Sequence, residues 1–362
     1  MNKSVILLLI ALSALSCRQR DKSYDDLLSA KENIFALDSV EVIRLPSVEA
    51  EPLEIEGLLL ARPTTLAYHH GGFLFLNDRG APKQLLIVDL VENTFYREIG
   101  KGRANNELLY LWDVVVNNED IFLSSLYEMK GLRMTYDVDT RRFFFAESVI
   151  FPQQFLHCLP VKEGFLTFAP AASGNRFVEW SKDIVPVDTI GTFPVEGIEN
   201  HEDADNAALQ SDAVFSSDGT KMAVSYKNID YIDLYRNGTL IKRIRGPRKY
   251  DVTVRTEQIG NGFVMTSVYP QYFAYRSITA TNNGFWAGYI GLKAPVGMMP
   301  TPDMNRIREI FYFDWDGNLR CVYTFDEPID AFAIDESSKI MYCLISTPEP
   351  AIVKYHIGQR MP

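Results

Sequence analysis

The chain has 362 residues, of which 47% are hydrophobic and 23% charged, as is ordinary for a globular protein with a large core. Its formal net charge at pH 7 is −11, from 36 Lys and Arg against 47 Asp and Glu. Nucleic acids and anionic membrane surfaces are bound through basic patches, so this balance argues against both as partners.

The first 17 residues have the layout of a secretory signal. Lys3 precedes an apolar run over residues 5–15, and small residues lead to Cys17. The end of this run, Ala-Leu-Ser-Cys, resembles the lipobox of bacterial lipoproteins. The resemblance implies cleavage before Cys17 and lipidation of that cysteine as the mature N-terminus. The alternative is an ordinary signal peptide that is cut near Ser16.

The rest of the chain has no stretch of the roughly 20 apolar residues that a membrane span needs. We therefore expect contact with the membrane only through the N-terminal lipid. No acidic residue directly follows Cys17, which favours an outer-membrane lipoprotein of the cell envelope, facing either the periplasm or the cell surface. Residues 18–37 are expected to form a tether, and residues 38–362 a single domain.

That domain repeats a pair of alternating strands joined by a polar turn. The copies begin at Gln84, Gly131, Asn175, Asp230 and Arg308. Turns such as Asn-Gly and Asp-Gly tolerate the unusual φ values that a tight hairpin requires, while the flanking side chains alternate between two faces. The pattern therefore predicts β-hairpins over nearly the whole chain.

A turn and a short apolar strand precede most of these hairpins. Equivalent positions of that strand recur at intervals of 41 to 57 residues, at Phe73, Ile121, Phe165, Met222 and Phe263. This spacing is close to that of a four-stranded propeller blade. The sequence thus predicts an all-β fold, a six-bladed β-propeller, because a β-sandwich would not repeat the same strand order so often.

A long interval near the C-terminus leaves the number of blades open, and the last blade needs a strand from elsewhere in the chain to close the ring. The last interval, from Phe263 to Ile340, is 77 residues long, which predicts either an insertion over roughly residues 270–305 or a seventh blade. The segment from Ala351 resembles a third blade strand without its fourth. An N-terminal strand, DSVEVIRL from Asp38, is predicted to supply the fourth strand and so remove an exposed sheet edge.

The segment GKGRANNELLYLWDVVV from Gly100 resembles the G-x-G-x-x-x-x-E blade junction of TolB-like six-bladed propeller lipoproteins, which are related in style to NHL-repeat propellers. Residues 104–106 replace the Pro-Gly that the family usually has there. The resemblance implies a propeller over nearly the whole mature chain. It implies no particular activity, since many members of the family have none assigned.

Two groups of residues are candidate ligand contacts. Arg103 and Glu107 lie in the glycine-containing junction loop, which either presents a charge and backbone N–H groups to a ligand or is a structural crossover. Aromatic side chains of the predicted insertion could stack on sugar faces, although alternating aromatics also pack inside sheets. The members chosen as ligand contacts are Tyr269, Tyr272, Trp286 and Tyr289.

No pattern of a resident cofactor, a metal site or a catalytic centre occurs. The sequence has no G-x-S-x-G, H-E-x-x-H or Walker motif, and no Cys/His spacing of a zinc site. The acidic loop at residues 201–205 could bind calcium but lacks the spacing of an EF-hand. Cys158, Cys321 and Cys343 are an odd number in an oxidising compartment, which favours buried thiols over a Cys321–Cys343 disulfide.

The sequence favours a non-catalytic ligand-binding or scaffold module, with a glycan or an envelope protein as its ligand. The alternative is a propeller hydrolase, lactonase or lyase that uses axial carboxylates, with or without calcium. Raised carboxyl pKa values at the axis would favour the enzyme.

Overall fold

A computed structural model describes most of the chain. The described residues are numbers 35, 37, 40–116, 120–168, 176–191, 210–248, 253–259, 263–269, 272–294 and 301–358, with the backbone alone for 253–259 and 263–269. Cys17, most of the tether and the acidic loop at 201–205 lie outside them.

The regular secondary structure of the described part is β-strand, apart from two 3-10 helices at Ser47–Glu49 and Pro302–Asn305. In chain order the strands are β1 (Glu41–Leu45), β2 (Glu51–Pro52), β3 (Pro63–His69), β4 (Phe73–Asp78), β5 (Lys83–Asp89), β6 (Thr94–Gly100), β7 (Asp113–Val116), β8 (Asp120–Ser125), β9 (Lys130–Asp137), β10 (Arg142–Ile150), β11 (Cys158–Val161), β12 (Gly164–Phe168), β13 (Phe177–Ser181), β14 (Pro186–Ile190), β15 (Ser211–Phe215), β16 (Lys221–Tyr226), β17 (Tyr231–Arg236), β18 (Thr239–Arg245), β19 (Thr253–Ile259), β20 (Phe263–Tyr269), β21 (Tyr272–Ala280), β22 (Gly284–Lys293), β23 (Ile307–Asp314), β24 (Leu319–Ile329), β25 (Ala331–Asp335), β26 (Ile340–Ile345) and β27 (Ala351–His356).

Six sheets form the blades of a β-propeller, which confirms the predicted fold class. The first four blades are β3 to β6, β7 to β10, β11 to β14 and β15 to β18. The fifth contains β21 to β24, and the sixth contains β25 to β27 with β2. Within each blade neighbouring strands pair antiparallel, and they follow chain order except for β2, which joins β27. The described residues therefore make six blades and not the alternative seven.

The turn between β17 and β18 follows the predicted local chemistry. Asn237 and Gly238 form the two-residue loop between β17 and β18, and both have positive φ, of 46° and 75°. This is the conformation of the type I′ turn, whose twist matches that of the flanking strands. An Asn-Gly pair between two alternating segments is therefore sufficient to place this hairpin.

The N-terminal region closes the last blade, as predicted, but with a different segment. Glu51 pairs with Lys354 and Pro52 with Val353, so β2 is the fourth strand of the sixth blade. The predicted strand, from Asp38, instead contains β1, which pairs in parallel with β24 on the outer edge of the fifth blade. Alternation in DSVEVIRL specifies a half-buried strand but not which outer edge it joins.

The extra segment of the chain lies earlier than predicted. The strands β21 to β24, which span most of the predicted insertion at 270–305, form a regular blade. The additional element is the hairpin of β19 and β20, a two-stranded sheet that pairs with no described blade strand. The segment from Asn261 has the same turn and alternation as the second strand of a blade, so periodicity alone could not distinguish the two.

The core consists of six apolar clusters, each between two neighbouring blades. Phe73 and Leu123 belong to the cluster between the first and second blades, and Ala331 and Leu74 to the one between the sixth and first. Each blade therefore buries both faces against its neighbours, which explains the nearly continuous apolar runs in strands such as β22.

The three described cysteines are free and buried, as predicted. Cys321 and Cys343 belong to the same cluster between the fifth and sixth blades. Burial raises the pKa of the Cys321 thiol to about 11, so the thiol is neutral at physiological pH. Among the described residues, no helix is long and apolar enough to cross a bilayer.

Candidate functional site

A cavity of about 1100 Å³ runs along the propeller axis. Residues of all six inner strands, β3, β7, β11, β15, β21 and β25, line it. Four antiparallel strands return the chain to the face at which a blade began, so every inner strand starts at the same face. We call the cavity opening at that face the entry mouth.

Each blade contributes a charged side chain, which lies at or just before the start of the inner strand, in the adjoining turn or, for Arg276, in the middle of β21. Together with two neighbouring cations they form the entry-mouth cluster, which consists of Arg79, Asp113, His157, Asp212, Lys227, Arg276, Arg306 and Asp330. All but Arg306 line the cavity. Residues up to 251 positions apart in sequence are thus assembled into one site.

His157 lies between two carboxylates. Its Nδ1 is 2.8 Å from Asp113 Oδ2, and its Nε2 is 3.0 Å from Asp212 Oδ1. Burial by itself would lower the pKa of the imidazole, but the two Asp charges and their hydrogen bonds outweigh burial and raise it to about 9. The imidazole is therefore protonated at neutral pH and donates from both nitrogens.

The mouth carboxylates all have a cationic partner. Asp212 Oδ1 also contacts Lys227 Nζ at 3.2 Å, and these cations hold the pKa of Asp212 below its usual range despite burial. Asp330 lies 3.4 Å from Arg306 Nε and accepts a hydrogen bond from Ser346 Oγ at 2.6 Å. The pKa of Asp212 thus shifts in the direction opposite to the one that the enzyme alternative requires of its acid.

Two arginines of the cluster form no ion pair with a described carboxylate. Arg276 donates to the backbone carbonyl of Asn305, and Asp330 and Asp212 act on it only at longer range. Burial nevertheless lowers the pKa of Arg276. Arg79 has a buried Nε without a hydrogen-bond partner among the described residues. Both arginines line the cavity, and neither charge is neutralised by a described carboxylate.

An aromatic row leads from the cavity wall to the open surface of the entry face. Trp112 lines the cavity, and its ring centroid is 6.1 Å from that of Tyr110, which is 5.9 Å from that of Tyr127. Tyr127 is 68% exposed. The guanidinium of Arg79 lies over the rings of Tyr110 and Trp112, at 4.7 and 5.9 Å from the centroids. A positive charge thus adjoins the inner end of this row.

The aromatic residues predicted from the sequence lie elsewhere. Trp286 and Tyr289 are 0% exposed and pack in clusters beside the fifth blade, where Trp286 lies 4.5 Å from Tyr312. Tyr272 is also buried. Direct ligand contact by Trp286 or Tyr289 is therefore not supported, because neither ring has an exposed surface. Tyr269 belongs to β20, and its side chain lies outside the described residues.

The junction loop after β6 has a structural arrangement. Glu107 Oε2 accepts a hydrogen bond from the Ala104 N–H at 3.1 Å, and Lys130 Nζ donates to the Ala104 and Glu107 carbonyls at 2.6 and 2.8 Å. A Cβ at Gly102 would lie 2.0 Å from Glu107 Oε2, so glycine is required for this close approach. Arg103 is exposed on the loop and does not line the cavity.

Sequence reasoning did not find the entry-mouth cluster. His157 was one of five histidines without a recognisable ligand pattern, and no two of the aspartates are near one another in sequence. The available signal was positional. Asp113 and Asp212 are polar residues at the first or second position of an inner strand, and Asp330 directly precedes one. That signal requires the correct assignment of every inner strand.

No protein-family model matches the sequence, and no curated protein matches it significantly. Solved structures with the same fold include a Bacteroides fragilis protein provisionally described as exported, with 11% identity and a TM-score of 0.53 over 87% of this chain and 98% of the other. A DUF4221 family member from Bacteroides vulgatus has 10% identity and a TM-score of 0.51 over 84% and 95% of the two chains. At such identities the likeness concerns the fold alone.

Proposed function

We propose that this protein is a lipid-anchored propeller of the cell envelope whose entry mouth binds an anionic ligand without transforming it. The main support is the pair Arg79 and Arg276. Both cationic side chains lie on the wall of the axial cavity, and neither forms an ion pair with a described carboxylate. The ligand is a glycan or an envelope protein that presents a negative group.

The charge balance of the entry-mouth cluster supports the binding of an anion. Its four Lys and Arg side chains and the protonated His157 face three carboxylates, an excess of two positive charges. Hydrogen bonds to charged groups contribute about 1.5–3 kcal/mol each, and more where water is excluded. A cavity of about 1100 Å³ lies at the upper end of the size of small-molecule sites.

Binding without catalysis accounts better for the carboxylates than the alternative of a hydrolase, lactonase or lyase. A general acid at neutral pH requires a carboxyl with a raised pKa. The pKa of Asp212 is instead lowered, because His157 and Lys227 stabilise its ionised form. Asp113 and Asp330 are likewise engaged by cations.

Attachment through Cys17, at the outer membrane and on its periplasmic or outer side, belongs to this proposal, as does the relation to TolB-like propellers. The lipobox-like sequence and the junction segment from Gly100 support them. Lipidation is tested by mass spectrometry of the protein isolated from its host membrane, with a Cys17→Ser variant that is expected to lose the lipid.

The binding proposal is tested by calorimetric titration of the full chain, purified in detergent, with a panel of anions. The panel contains citrate, uridine monophosphate, an acidic peptide and sialyllactose. We expect binding by at least one probe and a loss of at least tenfold in Arg79→Gln and Arg276→Gln. The control Arg103→Gln, an exposed arginine on the same face, should bind normally. No binding by any probe, or equal binding by all variants, would overturn the proposal.

A further inference from the structure

We infer that the ligand of the entry mouth is an oligosaccharide whose terminal sugar carries a carboxylate and whose following sugars are neutral. The inference rests on the proposed anion-binding function and specifies its ligand class. Three observations carry it, namely the hydrogen-bonding capacity of the mouth, the aromatic row and the charge at the row's outer end.

The mouth can accept hydrogen bonds as well as donate them. Asp212 Oδ1 lies 3.0 Å from His157 Nε2 and 3.2 Å from Lys227 Nζ. A carboxylate has about four lone-pair sites, so Asp212 has capacity to accept from a ligand hydroxyl as well. A group with only acceptors, such as a phosphate, could pair with the cations but would offer no donor to the carboxylate oxygens. A sugar acid combines one negative group with several hydroxyl donors, which matches unpaired arginines beside ionised aspartates.

The terminal carboxylate is assigned to the arginines. Both guanidinium groups line the cavity, and neither forms an ion pair with a described carboxylate. Burial is the main cause of the lowered pKa of Arg276, and repulsion by the charge of Arg79 adds to it. An anion that contacts both relieves this repulsion. Carboxylates match the planar donor fork of arginine and can form two parallel hydrogen bonds with it.

The aromatic row continues outward from that point. Trp112, Tyr110 and Tyr127 follow one another at centroid separations of 6.1 and 5.9 Å, which are similar to the length of one pyranose unit in a glycosidic chain. The Tyr127 ring stands at 75° to that of Tyr110, so the two offer apolar contacts from different directions. Tyrosine and tryptophan combine apolar area with a polar group, which suits the apolar face and hydroxyl rim of a sugar. A ligand that extends beyond the cavity would therefore cross Tyr110 and Tyr127.

The outer end of the row carries negative charge. Glu128 follows Tyr127 in sequence, and its Oε2 accepts a hydrogen bond from the Leu109 N–H at 2.7 Å. A carboxylate on the ligand at this place would meet a like charge. The negative group is therefore placed at the end of the chain, between the arginines, and the sugars over Tyr127 are neutral.

The test is calorimetric titration of the full chain with two acid-terminated trisaccharides, sialyllactose and aldotriouronic acid. Neutral lactose and galactotriose are the comparison. We expect at least one acidic probe to bind tenfold or more tightly than either neutral sugar. Tyr127→Ala should weaken that probe threefold to tenfold but leave the free acidic monosaccharide unchanged. The control Phe144→Ala removes a 49% exposed ring from the outer strand β10 and should have no effect.

The outcomes separate this inference from the proposed function. Arginine-dependent binding of the nucleotide or the acidic peptide, with no binding of either acidic trisaccharide, would overturn the oligosaccharide and leave the anion site standing. Equal affinity for acidic and neutral sugars would overturn this inference, and it would overturn the anion site as well only if citrate, the nucleotide and the acidic peptide also fail to bind. Tyr127→Ala without effect on the trisaccharide would overturn the path over the aromatic row. Circular dichroism and the melting temperature establish that each variant is folded.

Discussion

Replacement of His157 by glutamine should remove a specific part of the pH dependence of stability. The folded-state pKa of His157 is raised to about 9 from an ordinary value of 6.5. Between these values the folded state binds one proton more than the unfolded state, so stability falls as pH rises. The contribution of His157 is fully present below pH 6.5 and is lost as the pH passes through about 9.

The magnitude follows from the difference between the two pKa values. It corresponds to about 3 kcal/mol, as an upper limit, because ion pairs near a solvent-filled cavity are partly screened. Urea denaturation at pH 6 and at pH 9.5 measures it. Between pH 6 and pH 9.5 the free energy of unfolding of the wild type should fall by up to about 3 kcal/mol more than that of His157→Gln.

The comparison between variants is necessary because other groups titrate there. The buried thiols of Cys158 and Cys343 have raised pKa values, so their unfolded forms also release protons first and reduce stability at high pH. That effect is common to both proteins and cancels in the difference. Parallel stability profiles of wild type and His157→Gln between pH 6 and 9.5 would refute the assignment of a protonated imidazole between Asp113 and Asp212.

Three further substitutions test the fold by urea denaturation. Leu45→Ala in β1 should lower the free energy of unfolding by about 2–5 kcal/mol, because Leu45 is 1% exposed between two blades. The control Val42→Ala, at a residue 51% exposed on the same strand, should lower it little. Equal effects of the two substitutions would contradict the placement of β1. Arg243→Gln should lower the free energy of unfolding by about 3–5 kcal/mol, since it leaves the buried Asp233 carboxylate with the Tyr226 hydroxyl but without its cationic partner. A neutral effect would contradict that ion pair. Trp286→Ala should lower the free energy of unfolding by about 3–5 kcal/mol, and the fraction of the variant that folds should bind ligand with unchanged affinity. Loss of binding without loss of stability would support the prediction that Trp286 contacts the ligand.

Local features of the fold could be predicted from the sequence, and its long-range pairings could not. The turn at Asn237 and Gly238 requires positive φ at both residues, so the sequence specifies it directly. The segments from Asn261 and from Asp38 have an equally clear alternation, yet one forms a hairpin outside the blades and the other joins an unexpected edge. Period-2 alternation fixes which face is buried and leaves the pairing partner open.

The candidate site was beyond sequence reasoning for a related reason. Trp286 and Tyr289 stand out by residue type, but burial between blades decided their role. His157 is inconspicuous in sequence, and its significance comes from carboxylates 44 and 55 positions away. The axial cavity of a propeller is lined by the first strand of every blade. The site can therefore be located only when the first strand of each of the six blades is assigned correctly.

The most direct test of the anion site is a crystal structure of the full chain soaked with sialyllactose, with density inspected at the entry mouth. The account predicts the sugar carboxylate within hydrogen-bond distance of Arg79 and Arg276, with the neutral sugars over Tyr110 and Tyr127. Ligand bound elsewhere on the molecule, or a carboxylate that contacts neither arginine, would contradict it.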